Sequence, residues 1–514
     1  MKATKLRVVL LVLIGVVFAS LCQPEPGRAQ MATMQEARTA AENYVKYILS
    51  SEGAWGKSPF AQVKSIQEFR RGDRVLGYFC PVDPDGYLIL SLYKDLAPVR
   101  AYAGGGALDP ESDVGTANIL KDRLQRLDDA LAAKLGRPID PADDLRPYLD
   151  LNFRSAWEVL TSPSFDSGGY RRTRGTRGAG MDYREGDSLL TTTWNQNPPY
   201  NNDCPDLGCE WSCDSTAYGC NENAWAGCVA VALAQVIKHW EWPPNRFDWS
   251  NMLDKYSWNG TAFQDKTGHI ATHAEIDAVA DLLYHCAHDV EMDFGCEESG
   301  ADMLGLEPVI EGDYDYDNGC QYKDRDDYTT REWFDKLKDE CNKNRPMAYR
   351  IPGHMIVVDG WREDGIGAAY YMVHVVYGWN GDNDGFWSVD AIPGDDHTDD
   401  DYIVCQIRPQ GSLGETLAGT YIYRPPPWTN YYYFNRDTAG SNATFEAGLD
   451  LQVLKSGFLL SNNGTGPTDA ITFDSMTDRS TSLYLHGVPG QNVHVRVSNG
   501  GAIKVRAGGQ MAIY

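Results

Sequence analysis

The sequence predicts an α+β fold spread over more than one domain, and three observations predict it. A helix opens on a cysteine in the stretch Gly227 to Trp240. Two β-branched runs, Met355 to Trp361 and Tyr370 to Val376, read as buried strands further along. From about Gly411 the composition shifts to short alternating runs punctuated by Gly, Asn and Asp, which predicts an all-β unit. A chain of 514 residues has room for several such units.

The helix is apolar at Val229, Ala232, Leu233, Val236, Ile237 and Trp240, the spacing of one buried face. Its first residue, Cys228, stands where aligned peptide dipoles leave partial positive charge. That charge favours thiolate, the nucleophilic form of the side chain. A buried cysteine capping a core helix is the competing reading, and a base beside the sulfur decides between them. His354 follows the turn Pro352-Gly353 and leads into the first β-branched run, so it sits at the mouth of a rigid strand. His374, inside the second run, reads as a core histidine.

Four segments now carry a resemblance. They are Thr193-Trp194-Asn195-Gln196 with Pro199-Tyr200-Asn201 and Cys204-Pro205; Gly227 to Trp240 with Glu241-Trp242-Pro243; Gly353-His354 with Val357-Val358-Asp359-Gly360; and His374 to Trp379 with Asp384 to Trp387. In this order they resemble the streptopain-type secreted cysteine peptidases. That resemblance implies a papain-like catalytic domain of two subdomains, a precursor with an N-terminal α+β propeptide, and no cofactor. It implies Cys228 as nucleophile, His354 as general base and then acid, and Gln196 as an oxyanion donor beside the Cys228 N–H. Acyl transfer builds charge on the carbonyl oxygen, and a preorganised donor there is worth about 10²–10³ in rate.

The chain departs from the family in one place. Where the family has Asn-Trp after His-Val in the hairpin, this chain has Val376-Tyr377. Val376 offers no side-chain hydrogen bond to orient an imidazole. Tyr377 and Trp379 remain as shields and Asn380 as a substitute in a shifted register. Two functional readings therefore stand: a secreted cysteine endopeptidase made as a zymogen, and a catalytically weak papain-like scaffold acting as a surface-binding module. A transglutaminase-like acyl transferase is a third.

The expected organisation is a signal peptide over 1–29, a propeptide and Arg/Gly-rich maturation linker over 30–187, a catalytic domain over 188–410, and a β-sandwich over 411–514. Lys2, Lys5 and Arg7 precede an apolar run from Val8 to Ala19, the form of a secretory signal. Cleavage is expected after Ala29 or nearer Ser20. Cys22 raises the alternative of a cell-surface lipoprotein, against which stands bulky Leu21. No later run is apolar and long enough for a transmembrane helix. The propeptide reads as a helix over Met34 to Leu49, strands at Val75 to Phe79 and Gly86 to Leu92 around the turn Asp83 to Gly86, and helices over Leu120 to Leu135 and Leu145 to Leu160. It is expected to inhibit the catalytic domain until the linker, Ser164 to Asp187, is cut. Within the catalytic domain, Glu275 to His285 and Thr330 to Asn342 read as helices.

A formal net charge of −26 argues against a nucleic-acid partner, whose phosphates call for Lys and Arg. The expected partners are protein or peptide substrates and the chain's own propeptide. Twelve cysteines suit an oxidising compartment. Cys204, Cys209, Cys213 and Cys220 cluster in a polar insertion, where two local disulfides are expected rather than zinc. Asp313, Asp315 and Asp317, and Asp395 to Asp401, are carboxylate clusters that fit either calcium or a solvated acidic loop.

Overall fold

The computed structural model describes residues 31–167 and 185–408, apart from 215, 244–245, 344, 369, 390–391 and 393–400, and nine four-residue strands beyond 408. The expected signal peptide, most of the Arg/Gly-rich linker, Asp395 to Asp400 and the boundary at 410/411 lie outside the described residues.

The fold is mixed α+β, organised on one large antiparallel sheet. Helix α1 (Met34–Glu52) starts on a capping box in which Thr33 and Glu36 satisfy each other's backbone N–H, and it stops at Gly53 with φ +80°. Strands β1 (Gln62–Val63), β2 (Gln67–Arg71), β3 (Arg74–Asp83), β4 (Tyr87–Leu90) and β5 (Val99–Ala103) follow. Helix α2 (Gly115–Leu135) and the short α3 (Arg154–Leu160) complete this N-terminal unit. The helix expected over Leu145 to Leu160 is thus only its last two turns. Pro147 opens a 3₁₀ turn at Arg146–Tyr148, and Asn152 then accepts the N–H of Arg154, which restarts the chain as a helix.

The second half supplies α4 (Cys228–Trp240), the two-strand ribbon β6 (Ser257–Trp258) and β7 (Phe263–Gln264), α5 (His273–Asp289), α6 (Leu306–Asp313), β8 (Gln321–Asp324) and α7 (Thr330–Asn342). It then supplies β9 (Met347–Ile351), β10 (His354–Asp364), β11 (Tyr370–Val376), β12 (Gly385–Ser388) and β13 (Tyr402–Cys405). Helices α5 and α7 also start on capping boxes, Thr272/Glu275 and Thr329/Glu332.

The sheet runs β1-β3-β4-β5-β12-β11-β10-β9-β13-β8, with β2 on β3. Alternate side chains of one strand therefore reach different cores. Met355 and Val357 of β10 join the core around α4, whereas Ile356 and Val358 join the one under α2 and α7. A third core lies between α1, α3 and the N-terminal strands.

The two halves of the sheet meet where β5 pairs with β12, Tyr102 opposite Phe386 and Ala101 opposite Trp387. The backbones come so close there that a Cβ on Gly385 would lie 2.2 Å from the Tyr102 carbonyl oxygen. Beside the seam the buried pair Arg362–Asp364 (3.1 Å) is completed by the N-terminal unit. Tyr44 and Tyr47 hydroxyls donate to Asp364 at 3.0 and 2.9 Å, and Arg362 donates to the Tyr102 hydroxyl at 2.7 Å. Buried charges are tolerable only when such partners satisfy them.

One expectation is corrected, that of two local disulfides. The described C-terminal strands pair in parallel: β14 (Thr420–Tyr423) with β15 (Asn442–Phe445), and from there each strand with the third one along. Short alternating runs between turn residues specify strands in either arrangement, so the sequence pattern does not choose the pairing. The cysteine cluster forms one local disulfide, Cys213–Cys220, while Cys209 reaches 87 residues on to Cys296, and Cys204 is a buried free thiol. Among the described residues no helix is long and apolar enough to cross a membrane, and no group of three His, Cys, Asp or Glu is arranged to hold a metal ion.

Candidate active site

Helix α4 begins at Cys228 because Gly227 turns the chain at φ +88°. A side chain there is excluded twice: the left-handed backbone disfavours it, and a Cβ would lie 2.5 Å from Met292 Cε. The residues just before the helix are clamped. Trp225 donates its backbone N–H to Gly295 and its indole N–H to the Cys296 carbonyl at 3.1 and 2.7 Å, and Ser299 donates to the Trp225 carbonyl at 2.7 Å. The Cys209–Cys296 disulfide ties that same loop to the insertion.

Cys228 is partly exposed, whereas the six other free cysteines among the described residues are buried. Burial, as the largest cause, pushes the thiols of Cys80, Cys204, Cys286 and Cys405 up to about 12. At Cys228 burial also acts to raise the thiol, but it is outweighed. The charge of His354, a hydrogen bond to its ring, and backbone hydrogen bonds from Met355 and Val229 bring the thiol below its ordinary value. His354 responds in the opposite sense. Burial favours the neutral ring, but the Cys228 charge and hydrogen bond, with the Tyr377 carbonyl, raise its pKa.

The His354 Nε2 lies 2.8 Å from the backbone carbonyl oxygen of Tyr377. That contact fixes which nitrogen faces the sulfur: Nε2–H donates to Tyr377, leaving Nδ1 for Cys228. Val376, in the position that departs from the family, is buried in the core around α4. No side-chain pattern announces the Tyr377 carbonyl, because every residue carries one. Trp379 covers the ring with its centroid 4.6 Å from that of His354, and Tyr377 stacks on Trp379 at 5.6 Å. Asn380 bonds elsewhere: its N–H donates to the Trp194 carbonyl at 3.1 Å, and its side chain approaches Ser257 at 3.5 Å.

Gln196 is buried and fixed through its backbone. Its carbonyl accepts the N–H of Ala226 at 2.9 Å, two residues before Cys228, and its own N–H donates to Asn195 Oδ1 at 2.8 Å. The segment leading to it is held by a residue the sequence reading passed over. Gln235, on α4 and fully buried, accepts from the Trp194 N–H and the Thr192 hydroxyl, both at 3.2 Å. A polar residue in an otherwise apolar helical face was the available signal.

His374 is not a plain core histidine. It is partly exposed, its Nδ1 lies 2.6 Å from Asp359 Oδ1, and Phe386 meets its ring edge-on at 5.0 Å. The other Asp359 oxygen accepts the Leu190 N–H at 3.0 Å. Of the candidate calcium ligands, Asp317 is engaged by Arg408 at 3.1 Å, and the carbonyl of Asp315 accepts from Trp242 at 2.9 Å.

Comparison with known proteins follows the same stretch of chain. The Peptidase C10 family model matches residues 194–387. Streptopain of Streptococcus pyogenes serotype M28 is 24% identical over 232 residues, which are 39% of this chain and 54% of streptopain. The chain thus spans about half the length of the curated streptopains it matches. The thiol protease/hemagglutinin PrtT of Porphyromonas gingivalis is 23% identical over 397 residues, 71% of this chain and 39% of that protein. Among solved structures, a fragment of Prevotella intermedia prointerpain A is similar with a TM-score of 0.46 and 22% identity, over 67% of this chain and 99% of the fragment. The stretch that resembles the peptidase C10 family, residues 194–387, is the one that holds Gln196, Cys228, His354 and Tyr377.

Proposed function

We propose that the chain is a cysteine endopeptidase made as a secreted zymogen, with Cys228 and His354 as its catalytic pair. The observation that carries this reading is the opposed shift of the two groups, thiol down and imidazole up, on either side of one contact. Shifts in these directions favour the thiolate and imidazolium forms of the pair. The Cys228 sulfur attacks the peptide carbonyl, and the oxyanion is held by the Gln196 side-chain amide and the N–H of Cys228. As the C–N bond breaks, His354 Nδ1–H passes its proton to the leaving amine. Water, deprotonated by the now neutral Nδ1, then cleaves the thioester, releasing the acid and restoring the ion pair.

The N-terminal unit, through residue 187, serves as propeptide in this reading. Its support is the seam between β5 and β12, where the unit abuts the hairpin that carries Tyr377. Cutting in the Arg/Gly-rich linker would free it. A secretory signal over 1–29 and an oxidising destination accord with the two disulfides. The rival reading, a weak surface-binding scaffold, rested on the apolar Val376, and it loses that motive once a backbone carbonyl meets His354 Nε2. The test is casein digestion by the purified chain alongside Cys228→Ala, with N-terminal sequencing of the active species. A new N-terminus within 164–187 and no digestion by the variant are expected. Equal digestion by both would reject the proposal.

A further inference from the structure

The Tyr377 peptide is gripped from both sides. Its carbonyl accepts from His354 Nε2 at 2.8 Å, and its N–H donates to Asp384 Oδ1 at 2.9 Å. The two residues bracket the loop joining β11 to β12, so the carboxylate closes that loop across its base. The loop is tightly wound, with Gly378, Asn380, Gly381 and Asn383 all at φ between 62° and 78°. It also lies hard against the rest of the site. A Cβ on Gly378 would come 2.9 Å from Val231 Cγ1 on the nucleophile helix, and one on Gly381 would come 2.9 Å from Thr193 Cβ. Trp387 donates to the Tyr377 hydroxyl at 2.8 Å, which pins the side chain as the carboxylate pins the peptide.

We infer that Asp384 is a positioning residue for the proposed catalytic histidine, acting through the Tyr377 peptide whose carbonyl orients the His354 ring. The inference rests on the peptidase reading above and assigns the orienting task that Val376 cannot perform to a side chain in the next strand turn. Asp384 touches neither sulfur nor substrate in this scheme. It fixes where a carbonyl points, and so which nitrogen of His354 carries the proton that faces away from Cys228. A backbone orienter needs such an anchor, because a free hairpin loop rotates its peptides at little cost.

The charges around Asp384 come from several elements. His374 faces it from β11, Asp359 from β10, Tyr87 from β4 and Asp382 from its own loop. Lys57 and Lys255 share with it the wall of a cavity of about 580 Å³. Burial, with the Asp359 and Asp382 charges, raises the Asp384 carboxyl to about 7, against the Tyr377 N–H and His374, which favour its ionised form.

The experiment compares the full-length chain with Asp384→Ala and Asp384→Asn. An Asn keeps an oxygen for the Tyr377 N–H but drops the charge. Iodoacetamide labelling of Cys228 is followed across pH by peptide mass spectrometry, with buried Cys286 and Cys341 as internal controls. Turnover of a peptide substrate is then measured after processing. Asp384→Ala is expected to move the Cys228 labelling midpoint upward by about one pH unit and to lower kcat about 10- to 100-fold, with KM within twofold. Asp384→Asn is expected to recover most of both. Should Ala unfold the hairpin, Asp384→Ser, whose hydroxyl stops short of the N–H, takes its place. An unchanged midpoint and kcat in the folded Ala or Ser variant overturn the inference, as does an Asn variant as impaired as Ala. A parent chain whose Cys228 labels like an ordinary thiol, near pH 8.5, overturns the peptidase reading itself.

Discussion

Two histidines stand on neighbouring strands of the same sheet, and burial works against the charge of each. His354 opens β10 and His374 lies within β11. Both rings are raised above their ordinary pKa, but by different partners. His354 is held by a sulfur and a neutral carbonyl; His374 is held by the Asp359 carboxylate, with the Asp384 charge adding to it. The difference decides what each ring can do. In the proposed mechanism, a proton on His354 shares its stabilisation with the Cys228 thiolate and loses it when the sulfur forms a thioester. A proton on His374 is held by carboxylates that no step of acyl transfer consumes. One ring is built to give its proton away and the other to keep it.

The largest expected effect separates the two directly. His354→Asn should lower peptide hydrolysis at least about 10⁴-fold, as loss of the base does in nucleophile–histidine peptidases. His374→Asn should cost less than about 10-fold. A fluorogenic peptide assayed over a pH series on both variants and the parent checks this. Comparable losses in the two would mean that the carboxylate-held ring joins the chemistry.

Next in size is Gln196→Ala, expected to reduce kcat about 10²–10³-fold with KM little changed. The Gln196 backbone is held by Ala226 and Asn195 whatever its side chain, so the truncation removes the amide and little else. A rise in KM at constant kcat would instead make Gln196 a substrate-binding group. The labelling profile of Cys228 should be nearly unmoved in this variant, since the sulfur takes its shift from His354 and from the Met355 and Val229 N–H groups.

The legible parts of this fold are those written in side-chain pattern. The apolar stripe on α4, the β-branched run of β10 and β11, and the Thr-x-x-Glu caps each specify a local structure. Helix α7 and strand β11 have the ends their sequences suggest. What stayed hidden depends on backbone groups or on pairing across the chain. The Tyr377 carbonyl is one case and the anchoring of its N–H by Asp384 another. The Cys209–Cys296 bond is a third: two bonds within the cluster were expected, yet Cys209 pairs outside it and Cys204 is a buried free thiol. The seam between β5 and β12 is the fourth, since alternation marks a strand without naming its neighbour.

The smallest effect is thermodynamic and belongs to His374. Its folded pKa lies above the ordinary 6.5 because the charge of Asp359 and its hydrogen bond to the ring outweigh burial. A raised pKa means that the folded state binds the proton more tightly than the unfolded chain does. The stabilisation is therefore complete below about pH 6.5 and disappears as pH rises through the folded value. His374→Gln keeps a polar side chain and removes the titration. Thermal unfolding of parent and variant should therefore differ most at pH 5.5–6.5 and converge toward pH 9, with the parent the more stable at the acid end. A gap that instead widened with pH would mean that the ring is held neutral by burial, and that the carboxylates beside it are satisfied by other donors.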